Sequence, residues 1–193
     1  MDKPTIKALD AQDPLRQFRQ AFVQADEQLV YMDGNSLGRL ALKSQEDIRQ
    51  AVEHEWGNRL IRSWNESWYE RPTRVAEQLA ALIGASPHEV LITDNTSVNL
   101  FKLAFAALQH QTGRDTIVTD ALNFPSDHYV FQGLIKSFHP GYQLKVVASG
   151  DGLTIAEDQL AAAVDGHTAL LSLSHVSFKS AFLFDMHSIN QMA

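Results

Sequence analysis

Three short segments carry residue types suited to holding an anion and a flat ring. The first is Asn95-Thr96-Ser97. Small polar side chains where a strand gives way to a helix point their oxygens the same way as the backbone N–H groups. The helix dipole adds a positive end, so phosphate suits this segment; so does a plain helix cap at Asn95, Thr96 or Ser97. The second is Phe124-Pro125-Ser126-Asp127. Phe124 offers a ring face to a planar heterocycle, and Asp127 offers an acceptor to a ring substituent or to the loop. The structural alternative makes Ser126 or Asp127 a cap, Pro125 a first-turn residue and Phe124 a hydrophobic staple. The third runs from Ser172 to Ser180, where Ser174 and His175 follow an apolar run and could reach the same crevice. A lone histidine more often plays a structural part, and the other seven histidines show no metal-ligand spacing.

Two more segments are less specific. Met32-Asp33-Gly34-Asn35-Ser36-Leu37-Gly38 is a tight polar turn. Arg59, Arg62, Trp64, Asn65, Trp68 and Tyr69 make an aromatic, basic stretch. It suits an aromatic substrate, a subunit interface or a cover for the core.

The elements that must position these residues follow from periodicity and punctuation. Helices are expected over residues 13–23 and from Ser44, the latter with Ile48, Val52 and Trp56 on one face. Residues 57–71 read as a structured loop. A helix follows Pro72, with Val75, Leu79, Leu82 and Ile83 inward and Gly84 as its stop. Residues 29–31 and 90–92 read as short strands. From there the pattern alternates: helix 97–109, strand 116–119, helix 126–138, strand 143–147, helix 156–163, strand 168–174, then a helix capped by Asp185. This predicts an α/β three-layer sandwich with a mainly parallel sheet covered on both faces. The three segments then lie at strand carboxyl ends, where open α/β sheets bind ligands. Residues 1–50 read as an N-terminal arm or part of a small domain, and residues 51–193 as part of a large one.

Composition narrows the function classes. A net charge of −7 without a basic run argues against nucleic acid. The absence of cysteine excludes disulfides, thiolate zinc sites and cysteine nucleophiles. No apolar run approaches the roughly 20 residues needed to span a bilayer, and residues 1–20 lack an apolar signal segment. A cytoplasmic protein is the expectation.

Taken in order and spacing, Gly34-Asn35-Ser36-Leu37-Gly38, Ile61-Arg62-Ser63-Trp64-Asn65, Asn95 to Leu100, Asn123-Phe124-Pro125-Ser126-Asp127 and Ser174 to Lys179 resemble kynureninase from about Tyr31 onward. That family belongs to the fold-type-I pyridoxal 5′-phosphate enzymes, the aspartate-aminotransferase-like group. The resemblance implies that Thr96 and Ser97 hold the cofactor phosphate and that Phe124 stacks on the pyridine ring. Pro125, Ser126, Asp127 and Ser174 would complete the cofactor site; Ser36, Trp64 and Asn65 would lie near the substrate. It further implies hydrolysis of L-kynurenine, or 3-hydroxykynurenine, to anthranilate, or 3-hydroxyanthranilate, and L-alanine. That places the complete protein in tryptophan catabolism and NAD biosynthesis, as a homodimer. The family's Schiff-base lysine, and the Asp that holds the pyridine nitrogen, fall after the helix near Asp185. The chain is therefore expected to be a truncated portion of the large domain with no catalytic residue of its own, inactive alone. The competing expectations are another fold-type-I enzyme of cysteine desulfurase type, in which histidine usually takes the place of Phe124, and a non-catalytic phosphate-binding paralogue.

Overall fold

The computed structural model of the chain describes residues 3–24, 26 and 28–193. Its backbone divides into two compact units, Met1–Ile92 and Thr93–Ala193.

The second unit is an α/β sandwich. Its elements are α4 (Thr96–His110), β1 (Thr116–Asp120), α5 (Pro125–Phe138), β2 (Gln143–Val147), α6 (Glu157–Ala163), β3 (Thr168–Leu171) and α7 (Met186–Met192). The three strands are all parallel, in the order β2-β1-β3. Helical crossovers make this possible, because parallel neighbours need a long connection. β1 is central and buried along its whole length. Successive strand residues point to opposite faces, and the core divides accordingly. Ile117 packs with Ala104, Leu108, Phe131 and Leu134 under α4 and α5. Val118 packs with Val147, Ile155, Leu160 and Ile189 under α6 and α7. The expected alternation of helices and strands is present here with only small shifts of the ends; β3 stops at Leu171 rather than residue 174. Asp185 does cap the last helix, accepting from His187 N and Ser188 N.

The first unit departs further from the pattern. Its α-helices are α1 (Lys3–Gln12), α2 (Leu42–Gln50) and α3 (Arg71–Ile83). The helix expected over 13–23 is a 3₁₀ segment, Arg16–Ala21. Asp13 does not cap it: its carboxylate accepts from Leu15 N at 2.8 Å in the turn before the segment, the N-cap is Leu15 without a side-chain bond, and the turns that follow close on the i+3 residue. Neither 29–31 nor 90–92 is a strand; Leu91 is 80% exposed, so an apolar triplet here has no ladder to join. α2 runs on as a π-helix over Ala51–Arg59. The face of Ile48, Val52 and Trp56 is exposed rather than buried. The loop expected over 57–71 is wound into a 3₁₀ turn, Leu60–Arg62, and a π-helical turn, Trp64–Trp68. α3 ends as expected on Gly84, whose φ of +71° is left-handed and favours glycine. Its buried residues are Ala76 and Ala80, not the larger apolar residues beside them. Among the described residues no helix is long and apolar enough to cross a membrane.

Candidate functional site

Two helix N-termini converge at the carboxyl end of the sheet. α4 starts after Asn95, whose side chain accepts from Val98 N at 3.0 Å. That leaves Thr96 and Ser97 on the first turn, where N–H groups have no partner within the helix. Asp94 turns away from this end: its φ is +42°, and its carboxylate pairs with Lys102 and with the Thr93 hydroxyl. These bonds hold the Asp94 carboxyl below the ordinary carboxylate range. α5 starts after Phe124, with Pro125 in the first turn, where a missing N–H costs nothing.

Asn95, Thr96, Ser97 and Val98 from α4, Phe124, Ser126 and Asp127 from α5, and Ser174 beyond β3 line one cavity of about 660 Å³. That is large enough for a cofactor-sized ligand. All the expected cofactor residues but Pro125 are brought together on its wall. His175 and Lys179 are not part of it. The two helix ends differ in charge. The first turn of α4 holds no acidic residue, whereas that of α5 holds Asp127, whose carboxylate also accepts from the Ser126 hydroxyl. An anion is favoured at α4, and the positive end of α5 is already offset by its own carboxylate. Phe124 is 50% exposed and meets Phe178 edge-on, at 4.8 Å between ring centres. This contact fixes the ring and leaves part of it open.

β1 ends at Asp120, shortly before the turn that leads into α5. Asp120 is buried and accepts from Leu122 N at 2.8 Å. Its other oxygen has no partner among the described residues. Burial pushes the Asp120 carboxyl above its ordinary value, against the Leu122 N–H that favours the charge. Nε2 of His128 lies 2.9 Å from the Asp120 carbonyl. A carbonyl only accepts, so Nε2 carries the proton. Asn123, which the sequence placed in the motif without a role, is buried here and bonded to Thr119, Phe124 and Ser174.

The expected substrate residues lie in the other unit. The Ser36 hydroxyl donates to Asp33 Oδ1 at 2.8 Å within its turn. Trp64 lies edge-on to Trp68 at 6.2 Å. Trp68 Nε1 donates to Glu55 at 2.5 Å, and Arg71 grips the same carboxylate at 2.6 Å. The Arg71 guanidinium and the Trp68 N–H hold the Glu55 carboxyl below its usual value. Asn65 is exposed on the same π-helical turn. Among the described residues no cluster of three or more acidic or histidine side chains could hold a metal ion.

The model of the aminotransferase class-V family matches residues 46–193. The chain belongs to the aminotransferase class-V family. Its curated relatives include a kynureninase of Pseudomonas fluorescens, 40% identical over 191 residues, covering 96% of this chain and 44% of that protein. A Burkholderia pseudomallei kynureninase is 40% identical over 189 residues, covering 95% and 44%. The chain thus spans under half the length of these relatives. A C-DES mutant with glycine covalently linked to its PLP cofactor shares the fold with a TM-score of 0.74 at 18% identity, over 94% of this chain and 46% of that one. A NifS-like protein does so with a TM-score of 0.68 at 18% identity, over 84% and 44%. The α/β sandwich with a parallel sheet is the fold these chains have in common.

Proposed function

We propose that the cavity is the phosphate-and-ring half of a pyridoxal 5′-phosphate site in a kynureninase-type hydrolase. Such an enzyme acts on a carbon–carbon bond in a ketonic substrate. Here that means L-kynurenine or its 3-hydroxy form, yielding anthranilate or 3-hydroxyanthranilate and L-alanine, in tryptophan catabolism and NAD biosynthesis. The carrying observation is one cavity that joins an acid-free helix N-terminus, bearing Thr96 and Ser97, to the open ring of Phe124. Identity of 40% to kynureninases over nearly the whole chain supports the choice within the family.

In this reading Thr96 and Ser97 hold the phosphate with their hydroxyls and first-turn N–H groups, where the charge is best compensated. Phe124 takes the ring. Pro125 sets the start of α5, Ser126 and Asp127 close one side of the cavity, and Ser174 closes the other. Asp127 offsets the second helix end, so the phosphate has one favoured seat rather than two. When bound, the cofactor supplies an electron sink. Ser36, Trp64 and Asn65 are the substrate-facing residues, and residues 51–193 belong to the large, cofactor-binding domain. The same proposal makes the whole protein a cytoplasmic homodimer. No lysine in these residues matches the family's cofactor-bearing position. Binding without turnover is therefore what we expect of the 193 residues by themselves.

Calorimetric titration with pyridoxal 5′-phosphate and with pyridoxal tests this. Charge-assisted phosphate contacts should make the phosphate ester bind about tenfold or more tighter. Thr96→Ala combined with Ser97→Ala should remove most of that preference. Equal affinity for the two compounds would overturn the reading.

A further inference from the structure

We infer that Asn123 is a positioning residue of this site, and that it leaves Ser174 facing the cavity solely as a hydrogen-bond acceptor. The ligand in this inference rests on the cofactor reading above; the geometry does not. Asn123 is 4% exposed and sits where the end of β1, the start of α5 and the chain beyond β3 meet. A backbone N–H can only donate. The Asn123 atom 2.8 Å from Phe124 N is therefore the carboxamide oxygen. The Ser174 hydroxyl lies 2.7 Å from that same oxygen and must donate to it. The carboxamide NH₂ is then on the far side, donating to the Thr119 hydroxyl at 3.2 Å. A single backbone N–H thus sets the direction of all three bonds.

Two consequences follow. The only proton of the Ser174 hydroxyl is committed to Asn123, so its lone pairs are what the cavity meets. A ligand group seated against Ser174 must donate: a hydroxyl, a protonated nitrogen or a water. The shared oxygen also ties Ser174 to the turn that carries Phe124, so neither can shift without the other. Thr119, fully buried in the central strand, anchors the pair.

The test uses three variants and two readouts. Asn123→Leu keeps the size and removes every bond. Asn123→Asp keeps the shared acceptor. Ser174→Ala removes one donor alone. The first readout is the Phe124 amide resonance without ligand. Ser174→Ala should move it, because the shared oxygen loses its second donor, and Asn123→Leu should move it further. Asn123→Asp should leave it nearest to wild type. The second readout is pyridoxal 5′-phosphate affinity by calorimetry. Asn123→Leu, which leaves the Phe124 N–H and the Ser174 hydroxyl unpaired, should weaken it about tenfold. An unmoved Phe124 resonance in Ser174→Ala, or unchanged affinity in a folded Asn123→Leu, overturns the inference. If the wild type itself fails to bind the cofactor, the cofactor reading falls, and the amide resonance still decides the positioning role.

Discussion

The two units treat their apolar residues in opposite ways. In Thr93–Ala193 the large apolar side chains divide between two faces of a parallel sheet, with Ile117, Phe131 and Leu134 on one and Val118 and Leu160 on the other, all fully buried. Among the described residues of Met1–Ile92 the buried apolar residues are Ala76 and Ala80, while Val52, Trp56, Ile61 and Leu82 are exposed. Order there comes from polar ties instead. Glu55 shows this best: its carboxylate takes Trp68 and Arg71, and its carbonyl takes the buried Ser63 hydroxyl at 2.7 Å. In the second unit, where the burying surface is supplied within the unit, the elements keep nearly the expected bounds. In the first, α3 keeps them too, but residues 16–21, 51–62 and 64–68 wind as 3₁₀ and π segments.

The comparison is broken most directly by truncating one large residue in each unit. Phe131 is 0% exposed, so Phe131→Ala should cost about 3–5 kcal/mol through lost burial and a cavity. Trp56 is larger but 65% exposed; Trp56→Ala should stay within about 0.5 kcal/mol, as surface changes do. Urea unfolding followed by circular dichroism measures both. Similar losses would mean that Trp56 is buried in solution and that the contrast between the units is not one of burial.

A smaller effect sharpens the contrast through pH. Asp120 has a raised carboxyl because burial penalises its charge. The folded state keeps that proton to higher pH than the unfolded chain does. The stabilising contribution is full below the ordinary carboxylate range and is lost as pH rises through the folded-state value. Glu55 has a lowered carboxyl because Arg71 and Trp68 bond to it. Its contribution is present above the ordinary range and lost as pH falls through the lowered value. Asp120→Asn keeps the oxygen that accepts from Leu122 and should therefore gain stability relative to wild type as pH rises. Glu55→Gln should lose stability relative to wild type over the same rise. Urea midpoints followed from acid to neutral pH read the two slopes. Slopes of equal sign would sink the assignment of opposite causes.

How much of this was legible in the sequence follows the same division. Strands and helices of the second unit could be read because their apolar residues are buried against one another, so a period of 2 or 3.6 reports real neighbours. Residues 143–147 matched at both ends. Residues 29–31 and 90–92 were misread because three apolar residues show apolarity and not pairing, and no partner strand exists for them among the described residues. In the candidate site, Phe124 could be marked by type and by its place after a strand, whereas Thr96 and Ser97 could be marked by type alone, because residues 90–92 before them form no strand. Asn123 could not be marked, because its role depends on Ser174, 51 residues later. Ser36, Trp64 and Asn65 were marked by resemblance; nothing in their spacing distinguishes a substrate residue from a well-tied turn.

The smallest expected effect concerns the charges that decorate the first unit. Arg49 is gripped by Glu46 at 2.6 Å and by Glu53 at 2.7 Å on one face of α2 and its π-helical continuation. Its guanidinium holds the Glu46 carboxyl below the ordinary range. On geometry alone this pair of bridges looks comparable to the grip of Arg71 on Glu55. The difference is water: Arg49, Glu46 and Glu53 are all more than half exposed, whereas the Glu55 side chain is 16% exposed. Exposed pairs gain little over hydration and are screened by salt. Arg49→Gln should leave the urea midpoint unchanged at low salt and at high salt alike, while Glu55→Gln lowers it at neutral pH in both. A salt-sensitive loss at Arg49 would show that the surface charges themselves hold the first unit together, and that shielding of Glu55 is not what sets it apart.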